Sequence, residues 1–359
     1  MKKLLAMVLA LVMTLSLAVS ANAAFKDADK VSDTYEEAVA VLNGMGVFKG
    51  YEDGSFQPQG NITRAEVAAI VYRVYTADVK DAKASLYATY NKFSDMAGAG
   101  WAQGYIGYCA NAALVKGYPN GTFQPSGKVT GYEVLTMILR AIGYDKNNEF
   151  SGADWALHVA QTAQQAGVLD NVKGVDLNAP ATRELVAELL FRAIAVAPMV
   201  TYTAAFGYQT VSFDTKKDNK FFKDNETLGH KNFLLDSDVD ADAWGRPTTV
   251  WFEDADKDLK HDDSETVYAT ITATPDASFN VATTECDICA ALGVKKSADV
   301  VEIYTNGVKK GTDTLTATET KAKLGAQGQQ IEFYENKDGD YRMVVIDTYL
   351  AYVNEVVTE

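Results

Sequence analysis

Gly50-Tyr51-Glu52-Asp53-Gly54-Ser55-Phe56-Gln57-Pro58 returns, 67 residues later, as Gly117-Tyr118-Pro119-Asn120-Gly121-Thr122-Phe123-Gln124-Pro125. The same interval separates Thr63 from Thr130 and Arg73 from Arg140. A third, eroded copy follows. In it Trp155 stands where Trp101 stood, Gly167-Val168-Leu169 matches Gly46-Val47-Phe48, and Thr182 to Arg192 reproduces the spacing of Thr63 to Arg73. Self-similarity at a fixed period marks supersecondary units that stack to share a core. The units are placed at residues 25–75, 93–144 and, degenerate, 150–197.

Each unit reads as helix, turn-rich loop, helix. From Tyr35 to Met45 the apolar residues Ala38, Val41, Leu42 and Met45 follow the i, i+3, i+4, i+7 stripe of an amphipathic helix. The loop carries the turn signals Asp53-Gly54 and Asn120-Gly121. Phe56 and Phe123 are expected to plug it onto the core. Thr63-Arg64-Ala65-Glu66 opens the second helix, which continues with Val67, Ile70, Val71 and Val74. Units of this size bury too little alone, so they should pack together.

Outward from the repeats, the first segment has Lys2 and Lys3, an apolar run from Leu4 to Val19 and the small-x-small triplet Ala21-Asn22-Ala23. It reads as a secretory signal over residues 1–23, with the mature chain starting near Ala24. No later stretch is long and apolar enough to span a bilayer. The net charge is −15. Residues 24–198 hold 19 acidic and 15 basic residues, whereas residues 199–359 hold 29 and 16. This balance argues against nucleic acid as a partner, since phosphate binding needs clustered Lys and Arg. Cys109 stands alone, and Cys286-Asp287-Ile288-Cys289 lacks the four ligands of a structural zinc site.

After residue 198 the pattern becomes strand-like. Thr248 to Phe252, Thr266 to Thr272, Val300 to Tyr304, Gln330 to Tyr334 and Tyr341 to Asp347 are β-branched and aromatic runs, with Asn306-Gly307 and Asp338-Gly339 as hairpin signals. Residues 199–359 are expected to form a mostly antiparallel, acidic β domain or two small ones. Asp254, Asp256, Asp258, Asp262 and Glu265 occupy positions 1, 3, 5, 9 and 12 of an EF-hand-like loop, although Leu259 replaces its turn glycine. The competing readings are a solvated acidic loop and weak calcium binding. With only His158, His230 and His261, no Gly-x-Ser-x-Gly and no His-Glu-x-x-His, the chain is read as a non-enzyme. It ends at Val357-Thr358-Glu359, soon after a strand-like run, which leaves room for a longer parent.

Phe25-x-Asp27, the Gly-Tyr-x-Asp-Gly-x-Phe-x-Pro loop and Ile62-Thr63-Arg64-Ala65-Glu66 resemble the S-layer homology (SLH) module, over roughly residues 25–197. The resemblance implies a multidomain chain, α then β, whose three SLH modules form a pseudo-threefold helical bundle ahead of the β region. It also implies binding of secondary cell-wall polysaccharide, often pyruvylated, in grooves between modules. The partners are then that polysaccharide and, in a surface lattice, the protein itself, on the wall of a Gram-positive-type envelope. The alternatives are an SLH-anchored enzyme acting on glycans or peptides, or an anchored adhesin.

Thr63 with Glu66, and Thr130 with Glu133, have the spacing of a capping box, worth about 1 kcal/mol per cap. That leaves Arg64 unexplained, because a cation in the first turn opposes the helix dipole. An anion would suit it, and guanidinium pairs with carboxylate in a two-pronged fork. A pyruvyl group is such an anion. Arg64 and Arg183 are the ligand candidates, while Gly131 leaves the second copy without one. Tyr51, Tyr118, Trp101 and Trp155 are candidates for stacking on sugar faces or for core packing. Thr182, Gly54 and Gly121 are read as structural.

Overall fold

The computed structural model describes residues 25–90, 92–212, 225–255, 260–262, 264–281, 300–309 and 328–347. The signal segment, the Cys286/Cys289 pair, Asp256 and Asp258 lie outside them. Two compact units result. One holds the chain up to Asp238 together with Val250–Thr270, and the other holds Val239–Thr249 with the chain from Ile271 onward.

The first unit is helical. Its main helices are α1 (Glu36–Gly44), α2 (Arg64–Thr76), α3 (Gln103–Asn111), α4 (Gly131–Ala141), α5 (Trp155–Gln165) and α6 (Arg183–Ala195). The stripe read in the sequence is the buried one: Ala38, Val41 and Leu42 are fully buried and Met45 nearly so. Phe56 and Phe123 are likewise at 0% exposure. Cys109 lies in this core, its thiol donating to the Ala68 carbonyl, and burial holds its pKa high. Among the described residues no helix is long and apolar enough to cross a membrane.

What ties the helices together is a relay of backbone hydrogen bonds. Arg64 N and Ala65 N, at the start of α2, donate to the Gly127 and Pro125 carbonyls of the following loop. Tyr132 N, at the start of α4, donates to Leu177 O. Arg183 N and Glu184 N, at the start of α6, return to Gly60 and Pro58. Isolated β-bridges repeat the order: Thr63 with Lys128, Thr130 with Pro180, Thr182 with Asn61. These backbone groups would otherwise be orphaned at the helix N-termini.

The helical unit does not stop at residue 198, where composition placed the boundary. The β1–β2 hairpin (Val200–Thr203 and Gly207–Thr210) is held by Val200 N donating to Ile142 O at 2.9 Å. The short helix α7 (Leu228–Phe233) approaches α6 so closely that a Cβ on Gly229 would meet Ile194 O at 2.7 Å. Trp251, 7% exposed, sits edge-on to Phe191 at 5.1 Å and donates Nε1–H to Glu37 at 2.8 Å. The boundary moves because these apolar side chains find their cover on helices rather than on other strands.

Strands β3 (Leu235–Ala241), β4 (Pro247–Glu253) and β5 (Thr266–Thr272) form a sheet in that order. In the second unit β6 (Ala277–Val281), β7 (Val300–Thr305), β8 (Val308–Lys309), β9 (Gln329–Glu335) and β10 (Tyr341–Asp347) form a sheet of order β6-β9-β10-β7-β8. Its pairings are antiparallel except β7 with β10. Asn306 and Gly307, both at positive φ, make the β7–β8 turn. Ile331, Phe333, Met343 and Val345 are buried on one face, and Tyr334, Val344 and Ile346 on the other. Glu332 is buried too, and it accepts both prongs of Arg246 (2.7 and 3.0 Å) and the Tyr334 hydroxyl.

Candidate functional site

The loop Gly50–Pro58 is shaped from below. Asp27 accepts the Phe56 and Gln57 amides at 2.7 and 2.9 Å, and Asp95 does the same for Phe123 and Gln124 in the second copy. Gln57 and Gln124 can therefore hold positive φ, at 56° and 60°. Gly50 is required by close approach, since a Cβ there would lie 2.8 Å from the Phe25 ring. Gly54 and Gly121 sit at φ near 80° in open space, so their need is conformational.

The starts of α2, α4 and α6 then each meet a loop from elsewhere in the chain. Thr63 accepts from Glu66 N while Glu66 accepts from Thr63 N, and Thr130 with Glu133 repeats this box. Thr182 accepts from Leu185 N alone. Arg183 leaves the α6 start for the first loop, where Nε donates to Phe56 O at 2.6 Å and NH2 to Lys49 O at 3.0 Å. Its guanidinium lies 4.5 Å from the Tyr51 ring centroid and 3.5 Å from Glu66. Arg64 does the same to the second loop: Nε to Phe123 O at 2.8 Å, NH1 to Glu133 at 3.0 Å, NH2 to Lys116 O at 3.3 Å, with Tyr118 at 4.6 Å. Both arginines are buried, at 4% and 3% exposure. A first-turn cation is tolerated because carbonyls and a carboxylate surround it.

Glu66 and Glu133 carry a role beyond capping, since they accept the Tyr51 and Tyr118 hydroxyls at 3.0 and 2.6 Å. Burial alone would raise the Glu66 pKa. Hydrogen bonds from Thr63 and Tyr51, with Arg183 nearby, outweigh it and hold the carboxyl below its usual range. The Tyr118 hydroxyl is pushed up to about 12 by burial and by its bond to Glu133.

Above the first loop lies a groove of about 620 Å³, whose wall includes Lys49, Tyr51, Arg73, Trp101, Lys128 and Arg183. Trp101 is 61% exposed and Tyr51 37%. Three sequence candidates thus meet here: Tyr51, Trp101 and Arg183. Arg64 and Tyr118 form a second pair, and Trp155 packs edge-on to Tyr132. At Gly131 a Cβ would lie 2.7 Å from Leu177, so the α4 start has no room for an arginine.

Sequence reasoning passed over the second tier. Asp81 accepts Lys49 at 2.6 Å and Arg73 at 2.8 Å, and Asp145 accepts Lys116 at 2.9 Å and Arg140 at 2.7 Å. The lysines and arginines recur at 67, but the aspartates are 64 apart. Period alone does not pair them. Burial would raise the Asp145 pKa, but bonds from Lys116, the Phe150 amide and Arg140 depress it. Its stabilising contribution is therefore complete above the unfolded carboxylate pKa of about 4 and is lost as pH falls through the lower folded value. Asp145→Asn should lower the melting temperature at neutral pH and flatten its fall toward roughly pH 3. An unchanged acid slope in the variant would refute this assignment.

Of the EF-hand-like set, Asp254, Asp262 and Glu265 are described. Asp262 is exposed and accepts Ser264 N and Oγ, both at 2.6 Å. Among the described residues no cluster of three His, Cys, Asp or Glu side chains is placed to hold a metal.

The model of the S-layer homology domain matches residues 24–68 and 92–135. The chain is 34% identical over 149 residues to the middle cell wall protein of Brevibacillus brevis, covering 40% of this chain and 14% of that one. It is 39% identical over 115 residues to the cellulosome-anchoring protein of Acetivibrio thermocellus (31% and 25%). It is 32% identical over 111 residues to the amylopullulanase of Thermoanaerobacterium thermosulfurigenes (30% and 6%). The matched stretches are thus a quarter or less of these relatives' lengths. The loops and helix starts that build the groove fall within the matched residues or reach them through Arg183, and the chain carries S-layer homology domains at residues 24–68 and 92–135.

Proposed function

We propose that this chain is a secreted, noncovalent cell-wall anchor that binds pyruvylated secondary cell-wall polysaccharide, with its C-terminal region displayed or self-assembling at the surface. The observation that carries the reading is the groove itself, where two exposed aromatic faces, Tyr51 and Trp101, stand beside Lys49 and Lys128. Rings offer apolar faces to sugars, and cations offer partners to acidic substituents. The differently named relatives, a middle cell wall protein, a cellulosome-anchoring protein and an amylopullulanase, share with this chain stretches of similar size. Attachment is the function such proteins would have in common.

Residues 150–197 act in this reading as a degenerate third module of a pseudo-threefold bundle. The relay of helix starts onto loops, which passes from first copy to second, second to third and third back to first, supports it. Arg183 has its Nε and NH2 taken by carbonyls, so its part in binding is to fix Tyr51 from beneath, as Arg64 fixes Tyr118.

The test is cosedimentation of the mature chain with cell-wall sacculi, native and chemically depyruvylated. Wild type should pellet with native wall only. Trp101→Ala should weaken binding about tenfold, the scale of one aromatic contact, while leaving the melting temperature unchanged. Wild type that stays in solution, or that binds both walls alike, would refute the proposal.

A further inference from the structure

Every cation on the groove wall except one already faces a carboxylate. Lys49 and Arg73 share Asp81, and Arg183 lies against Glu66. Lys128 is the exception: its Nζ donates to the Asn61 carbonyl at 2.7 Å, and among the described residues it forms no ion pair. It is exposed and stands across the β-bridge from Thr63, the cap of α2.

The position is peculiar to this groove. Two residues before each capping threonine stand Asn61, Lys128 and Pro180. The bridges hand these to different sites: Lys128 faces Thr63, Pro180 faces Thr130, and Asn61 faces Thr182. The cluster around Arg64 and Tyr118 therefore has Pro180 where the first groove has a lysine. Its own cations, Lys116, Arg140 and Arg64, face Asp145 and Glu133. One positive charge without a carboxylate separates the two places.

We infer that Lys128, rather than the helix-start arginines, is the residue that meets the acidic substituent of the bound glycan, and that it makes the first groove the stronger of the two anion sites. This rests on the polysaccharide reading above. A carboxylate approaching Lys49, Arg73 or Arg183 must compete with one already in place, whereas at Lys128 it displaces only water and a carbonyl contact. Long-range attraction also favours the uncompensated charge, with a dependence on ionic strength.

The experiment measures binding of the full mature chain to native sacculi over a range of salt concentrations, for wild type, Lys128→Gln and Lys173→Gln. Lys173 is an exposed lysine of the 170–178 loop, and the substitution removes the same charge from a place outside the groove. Lys128→Gln should weaken binding about fivefold and flatten its salt dependence, the size expected of one surface charge contact. Lys173→Gln should match wild type. If Lys128→Gln matches wild type, or if Lys173→Gln loses as much, so that only net charge matters, the assignment of Lys128 is overturned while the polysaccharide reading stands. If wild type itself fails to bind, both fall.

Discussion

Arg183→Ala should lower the stability of the helical unit by about 3–5 kcal/mol, the range for removing one member of a buried charged network. The side chain is 3% exposed. Its loss leaves the Phe56 and Lys49 carbonyls without their donor, Glu66 without its cation, and a hole beneath the Tyr51 ring. Lysine does not restore these contacts, because one ammonium cannot serve two carbonyls and lie flat under an aromatic ring. Each kcal/mol shifts the midpoint of a domain this size by about 2–4 °C, so thermal unfolding followed by circular dichroism should show a fall on the order of 10 °C for both Arg183→Ala and Arg183→Lys. A fall of only a degree or two in Arg183→Ala would mean that the guanidinium is idle in the fold.

The second large effect concerns where the chain can be cut. A fragment ending at Pro198 contains both matched S-layer homology stretches and helices α1 to α6, yet loses Val200, Leu228, Trp251 and Phe252, each at most 7% exposed. It also loses Asn232, whose side-chain amide donates to the Val74 and Tyr75 carbonyls at 2.9 and 3.1 Å, the open C-terminal end of α2. Burying a large apolar side chain contributes about 1.5–3 kcal/mol, and a domain has about 5–15 kcal/mol in all. Residues 25–198 alone should therefore melt without cooperativity or precipitate, with Phe191 uncovered. A fragment extended through Thr272 should melt as a unit. Cooperative melting of residues 25–198 within a few degrees of the full chain would refute the claim that the later segments complete the core.

The legible parts of this molecule are the ones written locally. The stripe Ala38, Val41, Leu42, Met45 and the plug Phe56 are buried because apolar spacing and turn chemistry act over a few residues. Asn306-Gly307 makes its hairpin for the same reason. The candidate site is half legible. Tyr51, Trp101 and Arg183 were singled out by residue type, but nothing in their spacing says that an arginine 132 positions after Tyr51 lies beneath it. Asp81 and Asp145 were missed because they arrive at equivalent places through linkers of unequal length. The boundary at 198 was misplaced because the β-branched and aromatic run around Trp251 predicts a strand correctly while saying nothing about which surface covers it.

The relay of helix starts onto distant loops means that neither arginine-supported tyrosine, Tyr51 or Tyr118, is built by one stretch of sequence. The structural unit is the seam: a loop together with a helix opening from elsewhere in the chain. Asn171 to Asp176 lacks the Gly-Tyr-x-Asp-Gly-x-Phe pattern, yet the Thr182-Arg183 opening that follows it still completes the first loop. Exchanging residues 50–58 without the Thr182-Arg183 opening would therefore separate Tyr51 from the guanidinium beneath it, whereas moving both together would carry the arrangement intact.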